Sequence, residues 1–189
     1  TAPEAPDTYS ATWDAIEYAF TLEAGGDTSW GAESTKTITA FGTPDAPVSY
    51  PSGTTEPERA GYSFKGWRAA DGTGLTIGAT TFSEATGKTY SAIWEANTIS
   101  NTFAANDHGT FAGGATEKTV TTVFGNTLNL PAADALTPDA GYVFLGWFTD
   151  PVAGEEVTAE TTCPATDTTY YAHWEALAAW ATIENGTLK

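Results

Sequence analysis

The chain reads Gly61-Tyr62-Ser63-Phe64-Lys65-Gly66-Trp67 and, 80 residues later, Gly141-Tyr142-Val143-Phe144-Leu145-Gly146-Trp147. Each copy is followed after 27 residues by a second tryptophan, at Trp94 and at Trp174. Self-similarity at a fixed period is the sequence signature of a repeat architecture. The chain is therefore predicted to hold two copies of one folding unit of about 80 residues.

The motif that ends each unit occurs three times. It reads Thr8-Tyr9-Ser10-Ala11-Thr12-Trp13, then Thr89-Tyr90-Ser91-Ala92-Ile93-Trp94, then Thr169-Tyr170-Tyr171-Ala172-His173-Trp174. Near the other end of the chain, residues 180–188 have the spacing of residues 103–111. We therefore divide the chain into the last strand of a preceding repeat (1–14), a first repeat (15–95), a second repeat (96–175) and the opening strand of a following repeat (176–189).

Most of each unit is predicted to be β-strand. The period of two places Tyr90, Ala92 and Trp94 on one face of a strand. The matching residues Tyr170, Ala172 and Trp174 share one face in the second unit. Gly66 is expected to shift the register before Trp67 through a β-bulge. Residues 71–74 have the composition of a turn that leads to the next strand.

One stretch of each unit differs from this pattern, because it is rich in proline, alanine and acidic residues. Residues 130–136 are predicted to form a short helix with Pro131 in its first turn, where no backbone donor is needed. The matching stretch of the first unit, residues 44–59, holds four prolines and is expected to form at most one turn. The predicted fold class is α+β and strand-dominated, with one short helix or helical turn packed across a small sheet.

These motifs together resemble the Listeria–Bacteroides repeat, also called the internalin-type B repeat. The likeness rests on both Gly-Tyr-x-Phe-x-Gly-Trp blocks and on the closing Thr-x-Tyr-x-Ala-x-Trp motifs, and it covers nearly the whole chain. The opening strands depart from it, since Glu23–Trp30 is longer than the usual turn and Asp107-His108-Gly109 replaces Asn-Gly-Gly. The resemblance implies tandem β-grasp-like (ubiquitin-like) repeats, each of about four strands with a short helix.

The resemblance also implies a function. Such repeats occur on secreted or wall-anchored bacterial proteins, so the expected role is a non-catalytic spacer or stalk segment, located outside the cell at its surface or wall. The alternative is an adhesive module that binds a protein or glycan of a host or neighbouring cell. An accessory region of a large secreted enzyme is compatible with both roles. The expected partners are the neighbouring repeats of the same chain.

The motif aromatic residues are interpreted as structural core. Their alternation and repetition favour packing over a carbohydrate platform, and a unit without disulfide or metal depends on such side chains, each of which buries roughly 150–250 Å². The predicted core residues are Tyr62, Phe64, Trp67, Tyr90, Trp94, Tyr142, Phe144, Trp147, Tyr170 and Trp174. Trp30, Phe111 and Trp180 fall at or beside the opening hairpins, where they are candidate partner contacts or pack against the adjoining unit, and packing is favoured.

Charge excludes several classes of partner. The chain holds 24 Asp and Glu against 7 Lys and Arg, for a net charge of −17. Nucleic acid and anionic membrane surfaces are disfavoured, because their phosphates attract clustered cations. The longest apolar stretches are a few residues, far short of the roughly 20 that span a bilayer, so membrane insertion is not expected. Residues 15–95 and 96–175 carry net charges of −5 and −9.

No catalytic, cofactor-binding or metal-binding residue is predicted, and the chain is not expected to be an enzyme. The pairs Glu155-Glu156 and Glu56-Pro57-Glu58 are interpreted as solvated surface charge, since no loop gathers the six to eight oxygens that calcium requires. His108 and His173 have no ligand at metal-binding spacing. Cys163 precedes a proline and has no sequence-local base, so we interpret it as a small, half-buried residue.

Overall fold

The computed structural model describes residues 10–178 together with 183–184 and 187–188. The chain forms two compact units. Unit 1 consists of the described residues up to Arg59 together with Phe64–Trp94, and unit 2 consists of Ala60–Ser63 and the described residues from Glu95 onward. Each unit contains one five-stranded sheet, which confirms the strand-dominated fold class.

Unit 1 is built on a mixed sheet. Its strands and helix are β1 (Glu17–Glu23), β2 (Thr35–Phe41), β3 (Tyr62–Ala69), β4 (Gly74–Leu75), α1 (Phe82–Ala85) and β5 (Thr89–Ala96). The strand order is β2-β1-β5-β3-β4. β1 and β2 form an antiparallel hairpin, whereas β1 and β5 pair in parallel. The first and last strands of the unit therefore lie side by side in the middle of the sheet.

Unit 2 repeats this plan. Its main strands are β6 (Thr98–Ala104), β8 (Glu117–Val123), β10 (Tyr142–Phe148), β11 (Glu156–Val157) and β12 (Thr169–Ala176), in the order β11-β10-β12-β6-β8. The first and last of them, β6 and β12, again pair in parallel. Two minor antiparallel pairs join β7 (Gly109–Phe111) to β9 (Leu136–Pro138) and β13 (Ile183–Glu184) to β14 (Thr187–Leu188).

Each sheet has five strands, where about four were predicted. The additional strand is the two-residue β4 or β11. β4 returns along β3 after a short turn, and β11 returns along β10 after residues 149–155. In unit 1 this turn is the predicted one at residues 71–74, where Thr73 N–H donates to Asp71 Oδ1 at 2.8 Å. A two-residue strand leaves no periodic pattern in the sequence.

The short helix of unit 1 lies at a position for which no helix was predicted. Residues 44–59 contain turns but no helix, in keeping with the expectation of at most one turn, and α1 lies just before β5. Prolines leave the first segment short of backbone donors. At α1, Glu84 Oε2 accepts hydrogen bonds from the N–H and the hydroxyl of Thr81, both at 2.8 Å, which starts a helix locally. In unit 2 the prediction is closer, because a 3-10 helix forms at Ala133–Ala135.

The bulge at the repeated glycine is present. Gly66 has a φ of +123°, a conformation that residues with a Cβ rarely adopt. In unit 2 the pairing of β10 with β12 shifts register between Phe144 and Gly146. The shift allows Phe144 and Trp147, three residues apart, to pack on the same side of the sheet, at a ring distance of 5.3 Å.

Each unit has its own hydrophobic core. The core of unit 1 comprises Phe20, Leu22, Ala24, Ile38, Val48, Trp67, Ala69, Leu75, Phe82, Ala85 and Tyr90. The core of unit 2 comprises Ile99, Phe103, Ala105, Phe111, Leu128, Leu136, Trp147, Val157, Cys163, Tyr170 and Ala172. None of the helices among the described residues is long and apolar enough to cross a bilayer.

The predicted pieces of further repeats fall at the two ends of the chain. Residues 1–9 and Trp180 lie outside the described residues, and residues 10–16 have no regular secondary structure. Near the other end, the described residues after β12 are 177–178 and the short pair β13 and β14. The assignment of residues 1–14 and 176–189 to neighbouring repeats stays a prediction.

Candidate functional site

The two tryptophans of the repeated heptapeptides lie at the centre of their units. Trp67 is 3% and Trp147 2% exposed, so neither indole face is open to a ligand. The Trp67 Nε1–H donates to Tyr50 Oη at 2.9 Å, and the Trp147 Nε1–H donates to Pro131 O at 3.0 Å. Each indole thereby ties its strand to the proline-containing segment that was expected to form a short helix or, in unit 1, at most one turn.

The closing tryptophans are half-buried and hydrogen-bonded in the same way in both units. The Trp94 Nε1–H donates to Ala24 O at 3.1 Å and the Trp174 Nε1–H to Ala105 O at 2.8 Å. Phe64 and Phe144 meet these indoles edge-on, each with ring centroids 5.5 Å apart. Both indoles therefore anchor the end of the unit's last strand to the end of its first.

The tyrosines of the motifs divide into buried and half-buried pairs. Tyr90 and Tyr170 are 0% and 4% exposed, and burial raises the pKa of both phenols. The Tyr90 Oη has no hydrogen-bond partner among the described residues. Tyr62 and Tyr142 are half-buried, and Tyr142 stacks on His108 with centroids 3.8 Å apart.

Two of the three predicted partner contacts lie among the described residues, and their settings differ. Trp30 is half-buried, lies 5.4 Å from the Trp67 ring, and donates from Nε1 to Thr55 O at 3.1 Å. The Lys36 ammonium sits 5.2 Å from its ring centroid. Phe111 is only 5% exposed and stacks on Trp147, which places it in the core of unit 2 rather than on a partner surface. Trp180 lies outside the described residues.

The ionisable candidates do not converge on one another. Within the described residues, no three His, Cys, Asp or Glu side chains are placed to hold a metal ion. His173 stacks on Phe148 at 3.9 Å, and its Nε2 is 2.8 Å from Asp150 O. Hydrogen bonds from the N–H groups of Val152 and Ala153 hold the pKa of Asp150 below its usual range.

Cys163 is more deeply buried than its predicted half-buried setting. It is 2% exposed, and its Sγ accepts a hydrogen bond from Asn101 Nδ2 at 3.4 Å. Asn101 is itself 0% exposed, and its Oδ1 has no partner among the described residues. In unit 1 the equivalent pair is Phe20 and Phe82, with rings 5.9 Å apart. Unit 2 thus has a polar pair where unit 1 has an aromatic one, a difference that aligning the two units of the sequence would have revealed.

A groove of about 470 Å³ lies beside the bulge of unit 1, and sequence reasoning did not anticipate it. Its walls include Tyr50, Phe64 and Ile77, and the charged residues Glu56, Lys65 and Arg68 also line it. Gly66 also lines it. The lining differs from the matching residues of unit 2, where Leu145 stands in the place of Lys65.

Comparison with known proteins gives one family. The family model described as the Listeria-Bacteroides repeat domain matches residues 18–90 and again residues 100–173. A protein of Evansella cellulosilytica described as a Gly-rich membrane protein is 29% identical over 167 residues, which cover 87% of this chain and 17% of the relative. Another protein of the same organism, described as a membrane protein, is 32% identical over 125 residues, covering 64% of this chain and 17% of the relative.

Proposed function

Because the chain belongs to the Listeria-Bacteroides repeat domain family, we propose that it is a non-catalytic spacer segment of a bacterial surface protein. The observation that carries this proposal is the use of the repeated aromatic residues. In both units the heptapeptide tryptophan is buried and the closing tryptophan is bonded to the end of the first strand. The motifs thus build a self-contained unit that can be joined to further copies without a reactive centre.

We also propose that each unit is a β-grasp-like variant. The order β2-β1-β5-β3-β4, with the first and last strands parallel in the middle of the sheet, supports this assignment. The departure is the segment between β2 and β3, which contains no helix.

The proposed location is outside the cell, at the bacterial surface or wall. The family and the two relatives described as membrane proteins support attachment to the cell envelope. The chain spans 17% of the length of each of those relatives, so the activity of the whole protein is a separate question. The partners proposed for this segment are neighbouring repeats of the same chain.

A surface-display experiment tests the spacer role. The chain is placed between a wall anchor and a small reporter domain, and antibody access to the reporter is compared with that of the anchor joined directly to the reporter. A spacer predicts greater access with the chain in place, and greater still with residues 15–175 duplicated. Unchanged access in both cases would contradict the proposal.

Binding assays distinguish the spacer role from the adhesive alternative. Glycan arrays and pull-downs of host-cell surface proteins are performed with the wild type and with Trp30→Ala and Trp13→Ala. A pure spacer shows no reproducible binding in either assay. Binding that is lost on substitution of either indole would replace the spacer role by adhesion.

A further inference from the structure

Unit 2 includes a short segment that precedes its own first strand. This segment is Ala60–Ser63. The Asn97 N–H donates to Gly61 O at 2.9 Å, and Ser63 Oγ donates to Asn97 Oδ1 at 2.6 Å. Two hydrogen bonds therefore hold the segment against the residue that leads into β6.

An aromatic ring of unit 2 covers this segment. Phe124 lies directly after β8, and Tyr62 meets its ring edge-on with centroids 5.3 Å apart. A Cβ built on Gly61 would overlap the same ring, and Gly61 itself is buried. The first two residues of the heptapeptide Gly61–Trp67 thus serve as a seat for an aromatic side chain.

The same seat recurs one repeat later, but it is uncovered. The Leu177 N–H donates to Gly141 O at 2.7 Å, which is the equivalent of the hydrogen bond between Asn97 and Gly61. A Cβ built on Gly141 would have no atom within 4 Å apart from its chain neighbours, and Gly141 is exposed. Among the described residues, nothing stands where Phe124 stands over the first seat.

The uncovered seat is also apolar. Leu177 is 57% and Val143 40% exposed, whereas their equivalents are the hydrogen-bonded Asn97 and Ser63. Gly141, Val143 and Leu177 together are called the Gly141 patch. Contiguous exposed apolar side chains mark interaction surfaces on proteins.

Unit 1 presents an exposed aromatic residue near the corner that Phe124 occupies in unit 2. The Gly42 N–H donates to Ile16 O at 3.0 Å, and the Phe124 N–H makes the equivalent hydrogen bond to Asn97 O at 2.8 Å. Phe41, directly before Gly42, is 61% exposed, and Ile16 is 67% exposed. Both units therefore carry an aromatic side chain where β2 or β8 ends.

We propose that the Gly141 patch is the docking surface for a following repeat of the same chain. The aromatic residue at the end of the second long strand of that repeat would cover Gly141 as Phe124 covers Gly61. Stacked repeats bury surface against their neighbours in sequence, so a patch at the start of the next repeat suits this occupant. The proposal rests on the proposed role as a segment of a tandem array.

Two observations favour a following repeat over an unrelated partner. Residues 180–188 have the spacing of residues 103–111, so the sequence directly after the patch is predicted to open such a repeat. The hydrogen bond from Leu177 also places the chain after β12 in the same path as the chain after β5. His108 already stacks on Tyr142, so the incoming ring is expected over the exposed glycine instead.

Glycine proton shifts test the docking. An extended chain consists of residues 1–177 followed by a second copy of residues 98–189, and its glycines carry ¹³C. Protons over an aromatic face shift upfield, so Gly61 provides the reference for a covered seat. We expect Gly141 of the first copy to move upfield toward Gly61, relative to the 189-residue chain. Gly141 of the added copy should not move. An unmoved first-copy Gly141 would overturn the proposal.

Matched substitutions in the added copy identify the ring. Phe124→Leu keeps the apolar bulk but removes the ring, so it should return Gly141 of the first copy to its original position. Phe148→Leu makes the same change at a ring that stacks on His173 within its own unit, and it should leave the shift in place. Loss of the shift in both variants, or in neither, would overturn the assignment to Phe124.

Concentration separates a following repeat from a second molecule. A Gly141 shift that appears in the 189-residue chain as its concentration rises would place another molecule on the patch and overturn the assignment within one chain. The result is distinguishable from the spacer test. Repeats that do not dock can still raise antibody access to a reporter, and repeats that dock need not raise it.

Discussion

The tryptophan residues of this chain differ widely in burial, and therefore in what they contribute to the free energy of unfolding. Trp67 is 3% exposed and hydrogen-bonded to Tyr50, whereas Trp13 is 89% exposed. Trp67→Ala should lower the free energy of unfolding of unit 1 by about 3–5 kcal/mol, because it removes a buried ring and leaves a cavity. Trp13→Ala is the matched control and should change it by less than about 0.5 kcal/mol. Urea unfolding monitored by circular dichroism measures both, and equal effects would contradict this account.

Asn101 is a polar residue in an otherwise apolar core. Its Oδ1 is buried and unpaired, and a buried group without a partner costs about 1–3 kcal/mol. Asn101→Leu, which is similar in size, should therefore stabilise unit 2 by about 1 kcal/mol. Asn101→Asp should destabilise it, and less so at pH 4 than at pH 7, because the carboxylate would be buried. A destabilising Asn101→Leu substitution in urea unfolding would contradict the assignment of an unpaired Oδ1.

The protonation of Asp71 at acid pH is expected to lower the stability of unit 1. Hydrogen bonds from the Thr73 side chain and N–H lower the pKa of Asp71 from 3.8 to about 2, with a smaller contribution from Lys88. Because the pKa is lower in the folded state, the contribution of Asp71 is fully present above about pH 4 and is lost as the pH falls through about 2. Asp71→Asn should therefore flatten the fall in the thermal midpoint of unit 1 between pH 4 and pH 2. An unchanged profile, or a carboxyl ¹³C titration near 3.8, would exclude this linkage.

At the scale of secondary-structure elements, turns that require glycine limit substitution. Gly154, between β10 and β11, has a φ of +93°, and an added Cβ would lie 2.6 Å from Thr149 Oγ1. Gly154→Ala should destabilise unit 2 by about 1–3 kcal/mol. Gly26→Ala is the control, since Gly26 has neither a positive φ nor an atom within 4 Å of an added Cβ, and it should be neutral or slightly stabilising. Thermal unfolding of both variants checks the contrast, and a neutral Gly154→Ala would refute it.

Long strands and the bulge glycine could be predicted from the sequence, because period-two alternation and a repeated glycine are local signals. The helix α1 could not be placed, since its four residues, Phe82–Ala85, are fewer than the periodicity of a helix needs. The pairing of Asn101 with Cys163 joins residues 62 apart in sequence and depends on how β6 and the segment before β12 pack together. For Phe111 the sequence left a partner contact and packing open, because its place beside the opening hairpin does not show which way the side chain turns. The groove at Gly66 required knowledge of which residue of β4 faces Arg68.

At the scale of the whole molecule, electrostatic repulsion opposes folding in both units. Residues 15–95 carry ten acidic and five basic residues, and residues 96–175 carry ten acidic and one basic residue. Raising NaCl from about 10 mM to about 150 mM shortens the screening length from about 30 Å to about 8 Å. The thermal midpoints of both units should therefore rise, and that of unit 2 should rise more. Calorimetry measures both transitions, assigned with Trp67→Ala and Gly154→Ala, and a fall in either midpoint would contradict the prediction.

Parallel pairing of the first and last strands determines how each unit responds to mechanical load. The chain enters β1 at one end of the β1–β5 pair and leaves β5 at the opposite end, and β6 and β12 have the same arrangement. Tension applied through the polypeptide then pulls the two strands past each other in shear. The hydrogen bonds between them are loaded together instead of being opened one at a time, so each unit resists extension in the direction in which flowing liquid would stretch a tethered protein.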